Sequence, residues 1–214
     1  MKNNLLKDIS QGKIEILREG REAETKKGFY APATITLIKE GEDHYLIDSG
    51  CFGEENNISS LLGDKGLTPK NITKVFITHN HPDHIGNIEL FRNARIYLSD
   101  SIFRINQPNY FELMPNDFYT KPGKSLDINL GNMQILSTPG HAGWDFSVLC
   151  HGKNGRILIA GDLFWSQNDW KNDSEFLELC VNPELQKESR EHIREKLKPE
   201  IVIPGHGGIF IPRY

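Results

Sequence analysis

Hydrophobic residues in this chain fall in short runs, separated by polar turns that often contain glycine. Most of the runs are rich in β-branched and aromatic residues, which favours β-strands over helices. The pattern predicts strands at residues 13–19, 34–39, 44–48, 74–78, 95–99, 133–137, 146–150, 156–160 and 201–203. Strands are therefore the main element that we expect.

Three segments between the strands place apolar residues at helical spacing, with the other positions polar or charged. These segments, which predict helices, are residues 54–65, 85–91 and 183–198. No internal repeat, low-complexity segment or linker interrupts the chain. Residues 1–214 are therefore most simply one domain, large enough to bury a core.

Two further segments lack a regular pattern. Residues 20–28 are charged and bounded by glycine, which is typical of a solvated hairpin loop. Phe29 and Tyr30 follow this loop and could line a pocket or pack at the edge of the core. Residues 100–122 are irregular and aromatic-rich, and could form a lid over a site or pack over the edge of a sheet.

The overall charge gives little support to a nucleic-acid partner. The formal net charge is −4 and the pI about 6.1, so no general positive field would attract RNA or DNA. A local basic patch would suffice, so RNA stays open as a substrate that the charge does not support.

Cysteine usage and hydropathy indicate a reducing, aqueous location. Cys51, Cys150 and Cys180 are odd in number and far apart, which is typical of buried small side chains and not of a disulfide framework. Residues 1–11 resemble no signal peptide, and no apolar run approaches the roughly 18 residues that span a membrane. We therefore expect a cytoplasmic protein that makes no membrane contact.

The densest group of candidate metal ligands follows the strand predicted at 74–78. It consists of His79, His81, Asp83 and His84. Neutral imidazole and carboxylate are the ligands that borderline divalent ions such as Zn²⁺ prefer. Pro82 cannot donate a hydrogen bond within a strand, so the group should lie on a turn beyond the strand's end. A surface turn without metal is the alternative, and the pattern downstream argues against it.

Other predicted strands also end in a polar side chain close to glycine. These side chains are Asp48, His141, Asp162 and His206. Strands that end at the same edge of a sheet system can bring such side chains to one point and hold them on a rigid core. Glycine lets the backbone approach that point closely. We therefore predict that these strand ends and the dense turn form one site.

The motif Thr78-His79-Asn80-His81-Pro82-Asp83-His84 resembles the signature metal turn of the metallo-β-lactamase superfamily, and the later motifs around His141, Asp162 and His206 follow in that superfamily's order. The resemblance covers nearly the whole chain, from the Asp48-Ser49-Gly50 turn to Pro204-Gly205-His206-Gly207. It implies an α/β (α+β) fold, a four-layer αββα sandwich of two mixed sheets with metals at one sheet edge. Strand-dense halves that helices punctuate fit this layering.

The resemblance also implies a ligand set for two divalent ions. His79, His81 and His141 would hold the first ion, Asp83, His84 and His206 the second, and Asp162 would bridge the two. Asp48 would orient a ligating imidazole, or would only cap its own turn. Zinc is the expected metal, and iron or manganese would also suit these ligands.

Two ions about 3.5–4 Å apart would make the protein a hydrolase. A water that bridges them would lose its proton near neutral pH and attack an ester-like or phosphodiester bond. Asp83 or Asp162 could pass the proton to the leaving group, and we expect these two to be the catalytic side chains.

Within the superfamily, some branches fit this chain better than others. Few residues follow His206, so we expect no helical substrate domain of the glyoxalase II type. The short spacing between His141 and Asp162 leaves no room for the domain inserted in the usual RNA-cleaving members. Residues 81–91, 146–148, 159–164 and 204–207 resemble the family of metallo-β-lactamase domain-containing protein 1. That resemblance implies a compact hydrolase and an association with cleavage of histone pre-messenger RNA.

The substrate is the feature that the sequence determines least. Tyr30, Trp144 and Trp165 could contact a substrate near the ligand motifs, or could pack at the edge of the sandwich. One alternative function is a thioesterase or lactonase acting on a small metabolite. Another is a non-enzymatic metal-binding or interaction protein, which the complete ligand set disfavours. We expect a small-molecule or phosphodiester substrate, and the sequence does not determine the oligomeric state.

Overall fold

Two β-sheets make up most of the structure, a computed structural model that describes residues 13–21, 23–25, 28–153, 155–172 and 176–214. The first sheet contains β1 (Ile14–Arg18), β4 (Ile35–Glu40), β5 (Asp43–Ile47), β6 (Ile72–Ile77), β7 (Arg95–Leu98), β8 (Ser101–Phe103) and β9 (Phe111–Leu113), which lie side by side in that order. Strands β2 (Ala23–Thr25) and β3 (Gly28–Tyr30) form a separate antiparallel hairpin.

The second sheet contains β10 (Met133–Ser137), β11 (Phe146–Gly152), β12 (Gly155–Gly161) and β13 (Ile201–Pro204). Strands β5, β6 and β7 are parallel neighbours in the first sheet, and β12 and β13 are parallel in the second. Strand β10 has the same direction as β12, because each is antiparallel to β11. Parallel strands end at the same edge of a sheet, so the segments that follow these strands can meet there.

Four α-helices lie in the described part of the chain. They are α1 (Glu55–Gly63), α2 (Pro82–Ile85), α3 (Gln167–Lys171) and α4 (Pro183–His192), and a π-helical turn (Ile193–Leu197) continues α4. No helix among the described residues combines the length and the hydrophobicity needed to cross a bilayer.

The central core lies between the two sheets. Apolar side chains on the facing sides of both sheets form one buried cluster, which includes Ile38, Ile47, Phe76 and Tyr97 from the first sheet and Ile135, Val148, Ile159 and Ile203 from the second. Burial of a side chain of this size contributes roughly 1.5–3 kcal/mol. The strand residues between these positions point away from the central core and need a second cover.

Helices supply that second cover on both sides of the molecule. On the outer face of the first sheet, Leu46 and Val75 pack in one cluster with Ile58 of α1. On the outer face of the second sheet, Leu158 and Val202 pack with Phe164, Trp170 and Ile193. The layers are therefore helix, sheet, sheet and helix, and the predicted αββα sandwich is confirmed.

The predicted strands lie within two residues of the observed ones at each end, but the helix predicted at 85–91 is wrong. Helix α2 ends at Ile85, and a separate 3₁₀ turn covers Ile88–Leu90. The interruption is at Gly86, where a Cβ atom would lie 2.1 Å from the backbone of Cys51. Asn87 then donates to the carbonyl oxygens of Ser49 and Cys51, at 2.6 and 2.7 Å. These contacts with a distant loop end the helix.

Residues 100–122 are part of the first sheet and its core. They contain strands β8 and β9, and their side chains Met114 and Phe118 are buried in the central core. The Tyr119 hydroxyl also donates to the carbonyl oxygen of Ser99, at 2.5 Å. Of the two alternatives for this segment, packing at the sheet edge describes what is observed.

Candidate metal centre

Segments that follow five strands place the predicted ligands and Asp48 at one edge of the sandwich. Asp48 follows β5, His79 follows β6, His141 follows β10, Asp162 follows β12 and His206 follows β13. Helix α2 is a single turn that carries Asp83 and His84. The predicted ligands form two groups: His79, His81, His141 and Asp162 in one, and Asp83, His84 and His206 in the other. Within each group, one donor atom per residue lies within 4.8 Å of the others.

The first group contains three imidazole rings whose nitrogens converge. His81 Nδ1 lies 3.0 Å from His79 Nε2 and 3.0 Å from His141 Nε2. The three rings are nearly perpendicular to one another, with interplanar angles of 80°, 81° and 85°. Three nitrogen donors that point at one place from perpendicular rings form a tripod, an arrangement that suits a divalent ion such as zinc.

The second group lies beside the first and includes a carboxylate of its own. Asp83 Oδ2 is 3.4 Å from both His84 Nε2 and His206 Nε2. Both imidazoles are completely buried, whereas the Asp83 side chain is 25% exposed. This group therefore has one side that solvent can reach.

Asp162 lies between the two groups. Its Oδ1 is 3.3 Å from His84 Nε2 and 3.5 Å from His206 Nε2. Its Oδ2 is 3.4 Å from His141 Nε2 and 3.7 Å from His79 Nε2. One carboxylate oxygen thus faces each group.

Neighbouring residues hold both the side chain and the backbone of Asp162 in position. A Cβ atom at position 205 would lie 1.9 Å from Asp162 Oδ1, so only glycine fits there. On the other side, the buried Gln186 of α4 donates to the carbonyl oxygens of Asp162 and Leu163, at 3.0 and 3.1 Å. The chain thus positions this carboxylate closely.

The donor atoms of the site fit divalent cations. His84 Nε2, Asp162 Oδ1 and His206 Nε2 are fully buried, and none makes a hydrogen bond with the described residues. A buried polar atom without a partner costs about 1–3 kcal/mol, so three of them that face one another require explanation. Ions coordinated by these atoms would remove that cost, and the nitrogen and oxygen donors are of the kind that zinc, iron and manganese accept.

Asp48 has contacts for both of the roles predicted for it. Its Oδ2 lies 2.8 Å from His84 Nδ1, so it accepts the ring proton on the nitrogen that faces away from the second group. Its Oδ1 accepts the backbone N–H of Thr78 at 2.8 Å, and Oδ2 also accepts the Thr78 hydroxyl at 3.0 Å. Asp48 therefore orients the imidazole and holds the turn with the same carboxylate.

A second carboxylate, Asp145, holds the loop that carries His141. It accepts the backbone N–H groups of Gly140, Ala142 and Gly143 at 2.9 to 3.1 Å. Burial raises the pKa of Asp145 to about 6, although these three N–H groups favour the ionised form. The sequence interpretation missed this residue. Its only local signal is an aspartate that closes a short loop containing two glycines, Gly140 and Gly143.

The electrostatic environment differs between the histidines of the two groups. Burial holds the pKa of His79 well below its ordinary value, lowers the pKa of His81, and lowers the pKa of His141 to about 4. These three imidazoles are therefore neutral at pH 7, which is the form that binds a metal.

The nearby carboxylates reverse the effect of burial in the second group. Burial alone would lower the pKa of His84, but Asp48 and Asp162 raise it well above its ordinary value. Burial likewise lowers the pKa of His206 and the Asp162 carboxylate raises it. The net result is a raised pKa. An ion bound here would replace protons that the carboxylates attract.

The three aromatic residues predicted near the substrate have different surroundings. The ring of Trp165 stacks on His206 with 4.1 Å between centroids, and on Phe176 with 5.0 Å. Trp144, in the loop after His141, is 48% exposed, and Tyr30, in the β2–β3 hairpin, is 49% exposed. Trp165 therefore contacts a candidate ligand directly, while a role in substrate binding stays a prediction for all three.

A four-layer αββα sandwich with grouped histidines and aspartates at one sheet edge defines a class of metal-dependent hydrolases. Comparison with known proteins identifies the family within that class. Residues 30–102 match the model of the metallo-beta-lactamase superfamily. Metallo-beta-lactamase domain-containing protein 1 of Xenopus laevis is 33% identical over 183 residues, which cover 85% of this chain and 73% of that protein. The chain therefore belongs to the metallo-β-lactamase superfamily and is a hydrolase, and the predicted resemblance is confirmed.

Two further comparisons extend this result. The mouse protein of the same name is 32% identical over 170 residues, 77% of this chain, and this chain spans only 60% of that relative's length. A solved structure of an N-acyl homoserine lactone hydrolase, with its product bound at the catalytic metal centre, superposes with a TM-score of 0.67 at 18% identity. The superposition covers 92% of this chain and 93% of the lactone hydrolase, which shows a shared fold.

Proposed function

We propose that this protein hydrolyses an ester-like or phosphodiester bond with two divalent ions, zinc as the first choice. The position of Asp162 carries the proposal, because one of its oxygens faces each ligand group. The first ion would be held by His79, His81 and His141, the second by Asp83, His84 and His206. Asp162 would contribute to both.

Two bound ions would supply an acidified water and polarise the oxygen of the scissile bond. The chain itself would hold those ions on strand ends and fix the orientation of His84 through Asp48. The side chain of Asp83 is 25% exposed and that of Asp162 only 2%, so a leaving group can reach Asp83 far more easily. We therefore propose Asp83 as the group that passes a proton to the leaving group, with Asp162 limited to holding the ions.

One observation favours a second candidate, a lactonase or thioesterase that acts on a small metabolite. The segment beside the His141 loop exposes Leu179 and Val181, and the loop itself exposes Trp144. The backbone N–H of Val181 donates to the carbonyl oxygen of His141 at 2.9 Å, so this apolar surface borders the first ligand group. An apolar border suits an acyl chain better than a sugar-phosphate backbone.

Metal analysis and a substrate panel test both candidates. We expect the zinc-loaded protein to bind two ions, and we would assay bis(p-nitrophenyl) phosphate, S-lactoylglutathione and N-acyl homoserine lactones of two chain lengths. Turnover of the phosphodiester alone would support the first candidate. Turnover of the thioester or lactones, rising with acyl length, would support the second, and a protein that binds fewer than two ions would contradict the two-ion site itself.

Matched variants identify the part of each substrate that the protein recognises. Val181→Ser should raise the KM for a long-chain lactone several-fold and leave the KM for bis(p-nitrophenyl) phosphate unchanged. Val181 is 74% exposed, so this change should not unfold the protein. Leu113→Ser is a suitable control, because Leu113 is also exposed and lies in β9, the edge strand of the first sheet. Equal effects of both variants on both substrates would argue against an acyl-binding border.

A further inference from the structure

The imidazole of His141 has a contact on each of its two nitrogens. Nε2 faces the first ligand group, 3.0 Å from His81 Nδ1 and 3.4 Å from Asp162 Oδ2. On the opposite side of the ring, Nδ1 lies 3.8 Å from the Sγ atom of Cys180. The thiol therefore lies beside the ring nitrogen that faces away from the first ligand group. The sequence motifs did not predict this contact.

The contact determines which nitrogen of His141 can carry a proton. If Nε2 offers its lone pair to an ion, the ring proton must be on Nδ1, and that N–H needs an acceptor. Cys180 Sγ is within range for a sulfur acceptor, and the same sulfur lies 3.5 Å from the carbonyl oxygen of Phe176. A chain of two weak hydrogen bonds then runs from His141 Nδ1–H to the sulfur, and from the thiol to that carbonyl.

The backbone keeps the two residues in place. Val181 donates to the carbonyl oxygen of His141, and Asn182 to that of Gly140, both at 2.9 Å. Asn182 also caps helix α4, since its side chain accepts the N–H of Leu185 at 3.1 Å. The segment that carries Cys180 is therefore attached both to the His141 loop and to the start of a helix.

We infer that Cys180 is a positioning residue for His141: its thiol accepts the Nδ1 proton, and this fixes Nε2 as the nitrogen offered to the first ion. The inference rests on the proposed two-ion function. Asp48 occupies the corresponding place behind His84 in the second group, at the shorter distance of 2.8 Å. The two groups thus have partners of different kinds, a carboxylate in one and a thiol in the other.

The expected loss of metal affinity depends on how strongly the partner accepts the hydrogen bond from His141. Loss of a hydrogen-bond partner behind a metal ligand lowers metal affinity or activity by roughly 10–100-fold. A thiol is a weak acceptor, so we expect Cys180→Ala to weaken binding of the first ion by about tenfold. Cys180→Ser should restore part of this affinity, because a hydroxyl can accept the same proton but its shorter bond to Cβ places it farther from Nδ1.

The test measures binding as well as activity. Zinc affinity of the full chain is determined by competition with a chromophoric chelator for the unmodified protein, Cys180→Ala, Cys180→Ser and Cys51→Ser. Cys51 is a suitable control, since it is also a partly buried free thiol and precedes the second ligand group in sequence. Thermal unfolding of the metal-free proteins shows whether a variant has lost stability in general.

A spectroscopic readout separates positioning from packing. In the zinc-loaded protein, the Nδ1–H proton of His141 should give a slowly exchanging downfield NMR signal, which Cys180→Ala should remove or shift and Cys51→Ser should leave in place. Selective loss of first-ion affinity in Cys180→Ala, rescue by serine and the change in this signal would together support the inference. Two ions bound as tightly in Cys180→Ala as in the unmodified protein would overturn it and leave the proposed function intact. A protein that binds no pair of ions would overturn both.

Discussion

The two ligand groups have a similar number of donors and share Asp162, yet the chain holds them in different ways. Two members of the second group, Asp83 and His84, lie on a one-turn helix, and a carboxylate, Asp48, contacts His84 at 2.8 Å. The first group contains three neutral imidazoles, and His141 comes from a loop that the Asp145 carboxylate holds by accepting its backbone N–H groups, with the Cys180 thiol beside the ring. In the second group a carboxylate thus contacts the ligand itself, whereas in the first group a carboxylate holds the loop that carries the ligand.

This difference has a consequence for how each group responds to mutation. Charge behind the second group acts on a ligand directly, because a carboxylate favours both the ring orientation and a cation beyond the ring. The loop of the first group acts through backbone position, which several weaker contacts share. We therefore expect single changes to cost more in the second group than in the first, apart from changes to the ligands themselves.

The largest effect should come from the carboxylate that both groups share. Asp162→Ala removes one oxygen donor from each group, so the metal stoichiometry should fall below two and hydrolysis should decrease by at least about 1,000-fold. Elemental analysis and initial rates measure both quantities. Asp127→Ala, which removes an exposed carboxylate, should change neither. Full activity of Asp162→Ala would contradict the two-ion mechanism.

Removal of one imidazole should separate the two groups. We expect His141→Ala to lose the first ion and His206→Ala the second, so each variant should bind about one ion and hydrolyse at least about 100-fold more slowly. Visible spectra of the cobalt-substituted variants would show which ion remains, since the first group offers three nitrogens and the second two nitrogens with Asp83. Identical spectra for the two variants would mean that the groups do not bind separate ions.

A smaller effect is expected when the carboxylate behind His84 loses its charge. Asp48→Asn should lower the affinity of the second ion by about 10–100-fold and leave the first nearly unchanged. Chelator titration resolves the two ions. Asp43→Asn removes a charge from the start of the same strand, where Asp43 lies 3.8 Å from Lys74, and should have no effect on either ion. An equal loss at both ions would show that Asp48 supports the whole turn and not one ligand.

The smallest effect on metal affinity should come from Asp145. Asp145→Ala leaves the N–H groups of Gly140, Ala142 and Gly143 without their acceptor, so the protein should lose roughly 1–3 kcal/mol of stability. The affinity of the first ion should fall several-fold, because the His141 loop is less fixed. Denaturant midpoints and chelator titration measure the two changes. No loss of stability would mean that water replaces the carboxylate without cost.

Local periodicity was sufficient to predict the longer strands, whereas the αββα layering was inferred from the family resemblance. Runs such as residues 75–77 and 201–204 are apolar at consecutive positions, because both faces of each sheet are covered, and this pattern is visible without a structure. The candidate ligands were equally visible, since they lie on the short segments that follow such runs. The helix predicted at 85–91 is wrong because Gly86 meets the backbone of Cys51, a contact that no local pattern contains.

The ligand types and their places after strands were therefore determined by the sequence itself, because strand ends are a local property. The supporting contacts were decided only by the tertiary structure. His84 meets Asp48 across 36 residues of chain, and His141 meets Cys180 across 39. Which side chain stands behind which imidazole depends on how two sheets and a helix pack together, and the packing of distant segments leaves no periodic trace along the chain.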